Sequence, residues 1–185
     1  ILVRHRPNYR YLSGFTGTAG TLLITKYAAK LIVDFRYWEQ AGQEAPGYKL
    51  YKTKGPLREW FAGLISEVDP DNLGFEAKFV SVSVYHAMEQ ALKDAGVNTR
   101  MTPVENVIEP LRMVKDDSEI ELVKKAIEIS DDVISSLESL ARPGMTELEL
   151  AWNIEKHMRQ SGSQSPGFEV ICASGPNSAL PHAKS

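Results

Sequence analysis

Cysteine is almost absent from this sequence. Its one copy, Cys172, excludes a disulfide within the chain and fits a reducing, cytoplasmic setting. Cys172 sits in an alternating apolar run, which makes it a core thiol. Long apolar stretches are missing too. No run of about 18 apolar residues occurs, so no membrane-spanning helix is expected. Charge of one sign is scarce: 21 Lys and Arg against 24 Asp and Glu leave a net charge of -3 and no basic footprint for nucleic acid. The glycine-rich stretch Thr16-Gly-Thr-Ala-Gly20 lacks the Lys-Ser/Thr ending of a phosphate loop, which argues against nucleotide binding. There is no starting methionine and no signal-peptide pattern. Ile1–Val3 reads as the middle of a buried strand, and the chain stops three residues after His182. Both ends look cut, so the expectation is a piece of a longer protein. What remains is an ordinary balance for a globular chain, 43% apolar and 24% charged over 185 residues.

The first hundred residues alternate in texture. Strands are expected at Ile1–Val3, Thr21–Thr25, Lys30–Asp34, Tyr48–Lys52, Asn72–Phe75 and Asn98–Met101. The short Lys26-Tyr-Ala-Ala connection predicts a hairpin between the second and third. Helices are expected at Tyr37–Glu44, Leu57–Glu67 and Val82–Ala95, the last stopped by Gly96. Such alternation implies an α/β layer. Pro103 and Pro110 interrupt regular structure, which puts a boundary in Thr102–Asp117.

Beyond it, Ser118 and Glu121 fit a capping box. Ile120, Val123, Ile127, Ser130, Ile134, Leu137 and Ala141 then draw one stripe on a long helix, ended by Arg142-Pro-Gly144. Thr146 and Glu149 form a second capping box, opening a helix to about Gln160. Phe168–Ala173 reads as a strand. About seventy residues with so long an apolar face need more chain, or another subunit, to cover them.

Chemistry concentrates at few positions. His182 follows the expected last strand and a Ser174-Gly-Pro-Asn177 turn, a common way to deliver an imidazole. Asp34 and Arg36 lie at a strand end, where they suit an ion pair and a helix cap, or a contact to a substrate terminus. His5, His86 and His157 lack metal-ligand spacing and read as surface or capping residues. The adjacent pairs Asp116-Asp117 and Asp131-Asp132 point apart on a helix and make poor chelates. Trp38, Trp60 and Trp152 suit helix faces turned to a core or interface.

Four segments, in order, resemble one family. Asn8-Tyr-Arg-Tyr-Leu-Ser-Gly-Phe15 and Val33-Asp-Phe-Arg-Tyr37 resemble signatures of the creatinase-like N-terminal domain. Leu111-Arg-Met-Val-Lys-Asp-Asp-Ser-Glu-Ile-Glu121 resembles the linker into the pita-bread domain. Ser174-Gly-Pro-Asn177 with Pro181-His182 resembles a segment of that catalytic domain. The family holds Xaa-Pro aminopeptidases, Xaa-Pro dipeptidases (prolidases) and creatinases.

The resemblance implies a creatinase-like α/β domain with a mixed sheet over residues 1–108, its N-terminal helix missing. The linker and the beginning of a pita-bread α+β domain would follow over 109–185. It implies a peptidase acting before proline, with two divalent metal ions (Mn, Co or Zn) in the intact enzyme. The two Asp, one His and two Glu that hold them would all lie downstream of His182. No metal is therefore expected on these residues, nor appreciable hydrolysis by them alone. His182 would contact substrate and steady the tetrahedral intermediate. The glycine-rich loop lacks the Phe and Arg that reach a neighbouring subunit's substrate in creatinases. A proline-containing peptide and a homodimeric partner are implied. Metal-independent creatinase-like chemistry and a non-catalytic binding module stay open beside the peptidase.

Overall fold

Neighbouring apolar residues on a strand face opposite ways, so Leu22-Leu23 and Leu31-Ile32 require a sheet buried on both sides. The computed structural model, which describes residues 1–183, contains such a sheet in the first of two compact units, Ile1–Val114 and Lys115–Ser185. Its strands are β1 (Leu2–Val3), β2 (Thr21–Ile24), β3 (Ala29–Asp34), β4 (Lys49–Thr53), β5 (Asn72–Glu76) and β6 (Arg100–Val104). They lie in the order β4-β3-β2-β1-β5-β6. The β1/β2 and β2/β3 pairs are antiparallel and the other three are parallel, which makes the sheet mixed, as expected.

The two faces take different helices. Leu2, Leu23, Ile32, Leu73 and Phe75 pack with α3 (Leu57–Ser66) and α4 (Val82–Asp94), which bury Phe61, Leu64, Ile65, Met88 and Leu92. Val3, Leu22, Leu31 and Val33 pack on the other side. There they meet Tyr9 of α1 (Arg6–Ser13), Phe15 beyond it, and Ala41 of α2 (Trp38–Glu44). Each fully buried large side chain contributes about 1.5–3 kcal/mol, so both faces stabilise the unit.

Helix α1 and strand β6 differ from the sequence expectation. Helix α1 was not expected: its N-cap is His5, whose side chain makes no capping bond. Its entry is closed instead by Glu76, whose carboxylate accepts the backbone N–H groups of Arg4 at 2.6 Å and His5 at 2.7 Å. Strand β6 runs through Pro103, where an interruption was expected. Proline is tolerated there because β6 is an edge strand, with one side free of ladder bonds. A short helix, α5 (Glu109–Met113), completes this unit.

The second unit is helical: α6 (Asp117–Ser135), α7 (Leu137–Leu140) and α8 (Glu147–Gln160). The first helix is capped by Asp116 with Glu119, two residues earlier than the Ser118–Glu121 box expected. Thr146 and Glu149 cap α8 as expected. The expected stripe is also offset, since Val133 is buried while Ile134 is 65% exposed. Phe168–Ala173 is not a strand. A strand needs a neighbour to take its N–H and C=O groups, and among the described residues Lys115–Ser185 has no other strand. Among the described residues no helix is long and apolar enough to cross a membrane.

Candidate functional site

In the first unit the carboxyl end of β3 delivers Asp34 into a tight 3-10 turn, Phe35–Tyr37. Asp34 caps this turn by accepting the backbone N–H of Arg36 at 3.1 Å. The Arg36 side chain forks onto the same carboxylate, Nε to Oδ1 at 2.9 Å and Nη2 to Oδ2 at 2.7 Å. The Arg36 hydrogen bond holds the Asp34 carboxyl below the usual carboxylate range. A cleft at this end of the sheet is lined by Arg4, Arg6, Thr18, Thr21, Asp34 and Thr53.

The glycine-rich loop beside it is braced from within. Glu44 accepts the Thr16 backbone N–H at 2.7 Å, Tyr9 Oη donates to the Gly17 carbonyl at 2.8 Å, and Thr18 meets Tyr37 Oη at 2.6 Å. A Cβ on Gly17 would overlap the Phe15 ring, which is why glycine stands there. Below lies a buried polar cluster. Asn8 Nδ2 donates to Glu76 at 2.6 Å and to Glu109 at 2.9 Å, and Arg112 donates to Asn8 Oδ1 at 2.9 Å. The Asn8 bond is the leading reason that the Glu109 carboxyl titrates low.

In the second unit the chain after α8 runs through bends without a strand, then turns through a 3-10 segment, Gly175–Ala179. Glu147, the first residue of α8, holds this turn. Its Oε1 accepts the Ser174 backbone N–H at 2.5 Å and the Ser174 hydroxyl at 3.0 Å, and its Oε2 accepts Asn177 Nδ2 at 2.9 Å. These bonds, Asn177 first, hold its carboxyl low. Beyond the turn His182 is exposed and Ala183 is buried. Burial, then the Glu147 charge, pushes the Cys172 thiol up.

Asp34 and Arg36 are therefore brought together in the first unit, and His182 lies in the second. His5 stacks on Phe79 with ring centroids 3.6 Å apart, His86 faces Glu89, and His157 meets Asp132 at 2.7 Å. Glu76 and Glu147 carry no local sequence signal, because their partners lie 68 or more and 27 or more residues away. Among the described residues there is no group of three or more His, Cys, Asp and Glu placed to hold a metal ion. These residues therefore do not fit a two-metal centre.

Comparison with known proteins adds identity to this geometry. A family model described as the Creatinase/Prolidase N-terminal domain matches residues 1–114, and one described as Metallopeptidase family M24 matches residues 121–185. An uncharacterized peptidase, YqhT, of Bacillus subtilis is 34% identical over 98% of this chain and 50% of its own length. The structure of an Xaa-Pro dipeptidase from Bacillus anthracis superposes with a TM-score of 0.87 at 38% identity, covering 98% of this chain and 50% of that one. The X-Pro aminopeptidase from Thermotoga maritima gives a TM-score of 0.84 at 32% identity, covering 100% of this chain and 53% of that one. The chain spans about half the length of the curated relatives it matches.

Proposed function

The chain belongs to the creatinase/prolidase family, and on that premise we propose that it is part of a metal-dependent Xaa-Pro peptidase, which hydrolyses the bond preceding proline. The observation that carries this reading is the order of the two matches: the N-terminal domain comes first, and the metallopeptidase match that follows includes His182. We take residues 1–108 as the N-terminal domain and 109–185 as the linker and opening of the catalytic domain. A bond before proline is a tertiary amide without an N–H, and the ring fixes φ, so a dedicated pocket is chemically reasonable.

In this reading His182 contacts the substrate. An imidazole N–H there donates a hydrogen bond to the developing oxyanion, an interaction typically worth about 3 kcal/mol. Arg36 keeps guanidinium N–H groups beyond those spent on Asp34, and these are the proposed contacts to a peptide terminus. The two divalent ions, Mn, Co or Zn, belong to ligands outside these residues. A homodimer in the cytoplasm completes the proposal; the exposed apolar residues of α6 and the single cysteine support those two points.

The test is direct. The full-length protein with Mn²⁺ is expected to cleave Xaa-Pro peptides and to lose that activity to a chelator. Absence of cleavage, or cleavage that a chelator leaves untouched, would overturn the metallopeptidase reading. The 185 residues alone are expected to show no turnover on the same peptides.

A further inference from the structure

The Ser174–Ala183 segment is a chain of three turns at regular spacing. Asn177 N–H donates to the Ser174 carbonyl at 3.1 Å, Leu180 N–H to Asn177 at 3.0 Å, and Ala183 N–H to Leu180 at 3.2 Å. The Ser178 hydroxyl ties back to the Gly175 carbonyl at 2.6 Å. Each turn starts on the residue that ends the one before, so displacement of Ser174 passes along the series to Ala183. His182 lies inside the last turn. The series ends at the buried Ala183, and its start is held by Glu147.

The near anchor is specific. Glu147 uses both carboxylate oxygens on the turn, two bonds to Ser174 and one to Asn177. It is not occupied in starting its own helix. Thr146 accepts the Glu149 backbone N–H at 3.2 Å, and Glu149 accepts the Thr146 backbone N–H at 2.8 Å, so the capping box is complete without Glu147. A charged acceptor serving three donors makes stronger bonds than a neutral one. Aspartate is a methylene shorter and cannot span the same gap. Glutamine keeps one carbonyl oxygen for Ser174, and Asn177 can turn its amide to present oxygen to the new NH₂.

We propose that Glu147 is the positioning residue for His182: it fixes the Ser174–Asn177 turn from the first turn of α8 and thereby sets where the imidazole stands. The proposal rests on the reading that His182 contacts substrate. Misplacing a catalytic group by about 1 Å costs on the order of 10²-fold in rate. Loss of a supporting hydrogen-bond partner costs about 10–100-fold at comparable sites.

The experiment uses the full-length, metal-loaded protein and an Xaa-Pro dipeptide. Glu147→Ala is expected to lower kcat about 10–100-fold, with little change in KM, bound metal or melting temperature. Glu147→Gln is expected to restore most of the rate, and Glu147→Asp is not. Backbone amide exchange at Leu180 and Ala183 should accelerate in Glu147→Ala and recover in Glu147→Gln; this readout is independent of turnover. Asn177→Ala serves as a second break should Glu147→Ala fail to fold, with the same expected direction. His182→Ala separates the two ideas. If His182→Ala leaves kcat unchanged, the substrate-side reading of His182 is wrong and this proposal falls with it. If His182→Ala abolishes turnover while Glu147→Ala leaves both kcat and exchange unchanged, the positioning role alone is overturned.

Discussion

In Ile1–Val114 the sheet is covered on both faces by helices from the same segment, and Phe15, Phe61, Leu64 and Ile65 are wholly buried. Among the described residues of Lys115–Ser185 the buried apolar ones reduce to Val133, Ala151, Cys172 and Ala183, while Leu122, Trp152 and Phe168 are 70%, 60% and 85% exposed. Capping runs the other way: in the first unit α1, α2, α3 and α5 have no side-chain cap bond and α4 is capped by Ser81, whereas α6 and α8 each carry a complete capping box. Caps decide where a helix begins, whereas burial decides how firmly it is held. Local signals of equal or better quality thus accompany very different amounts of core.

The sharpest break of that contrast is a pair of truncations. Phe61→Ala should cost about 3–5 kcal/mol in denaturant unfolding. Leu122→Ala, already in solvent, should cost no more than about 0.5 kcal/mol. Similar losses from the two would end the comparison. Next, Glu76→Leu removes the acceptor for Arg4, His5 and Asn8 and should cost about 1–3 kcal/mol. That loss should be absent from helix signals of the second unit. Thr146→Ala should cost about 1 kcal/mol, read as faster amide exchange confined to the first turn of α8.

Acid gives the smallest effect per group. Asp116 and Glu149 have carboxyls held low by hydrogen bonds at the starts of α6 and α8. A carboxyl lowered in the folded state stabilises above its unfolded value of about 4 and loses that contribution as pH falls through the lower folded value. Exchange protection at the two helix starts should therefore fade below about pH 4, before the amides of Leu22, Leu31 and Val33 open. Simultaneous loss would show that capping is not the weaker hold.

Much of the first unit is legible in the sequence because its rules are local. The β2–β3 hairpin follows from two apolar runs and a short link, and Gly96 marks the end of α4 with a positive φ of 67°. The helix α1 is not legible from its own cap, since the groups that close it come from Glu76. Pro7 near its start and Gly14 at its end, with φ of 77°, were the signals available. The cap of α6 is ambiguous by composition: Asp116–Glu119 and Ser118–Glu121 satisfy the same spacing, and only the fold selects the first. Phe168–Ala173 shows the opposite failure, an alternation fit for a strand with no partner to pair it. Among the candidate residues, Asp34 and Arg36 of the first unit and His182 of the second stand out by residue type and motif. Glu147 does not, because a carboxylate that reaches 30 residues ahead to Asn177 leaves no periodic mark.

The closure of α1 by Glu76 also has a consequence in time. The Arg4 and Glu76 partners are 72 residues apart in sequence. Bringing such distant positions together costs loop entropy and delays contacts that depend on it. A ribosome releasing this chain exposes α1 early, yet the acceptor that completes its entry emerges only with β5. Helix α1 is thus expected to be among the last elements of its unit to become protected, an order that pulse-labelled exchange on the growing or refolding chain would read.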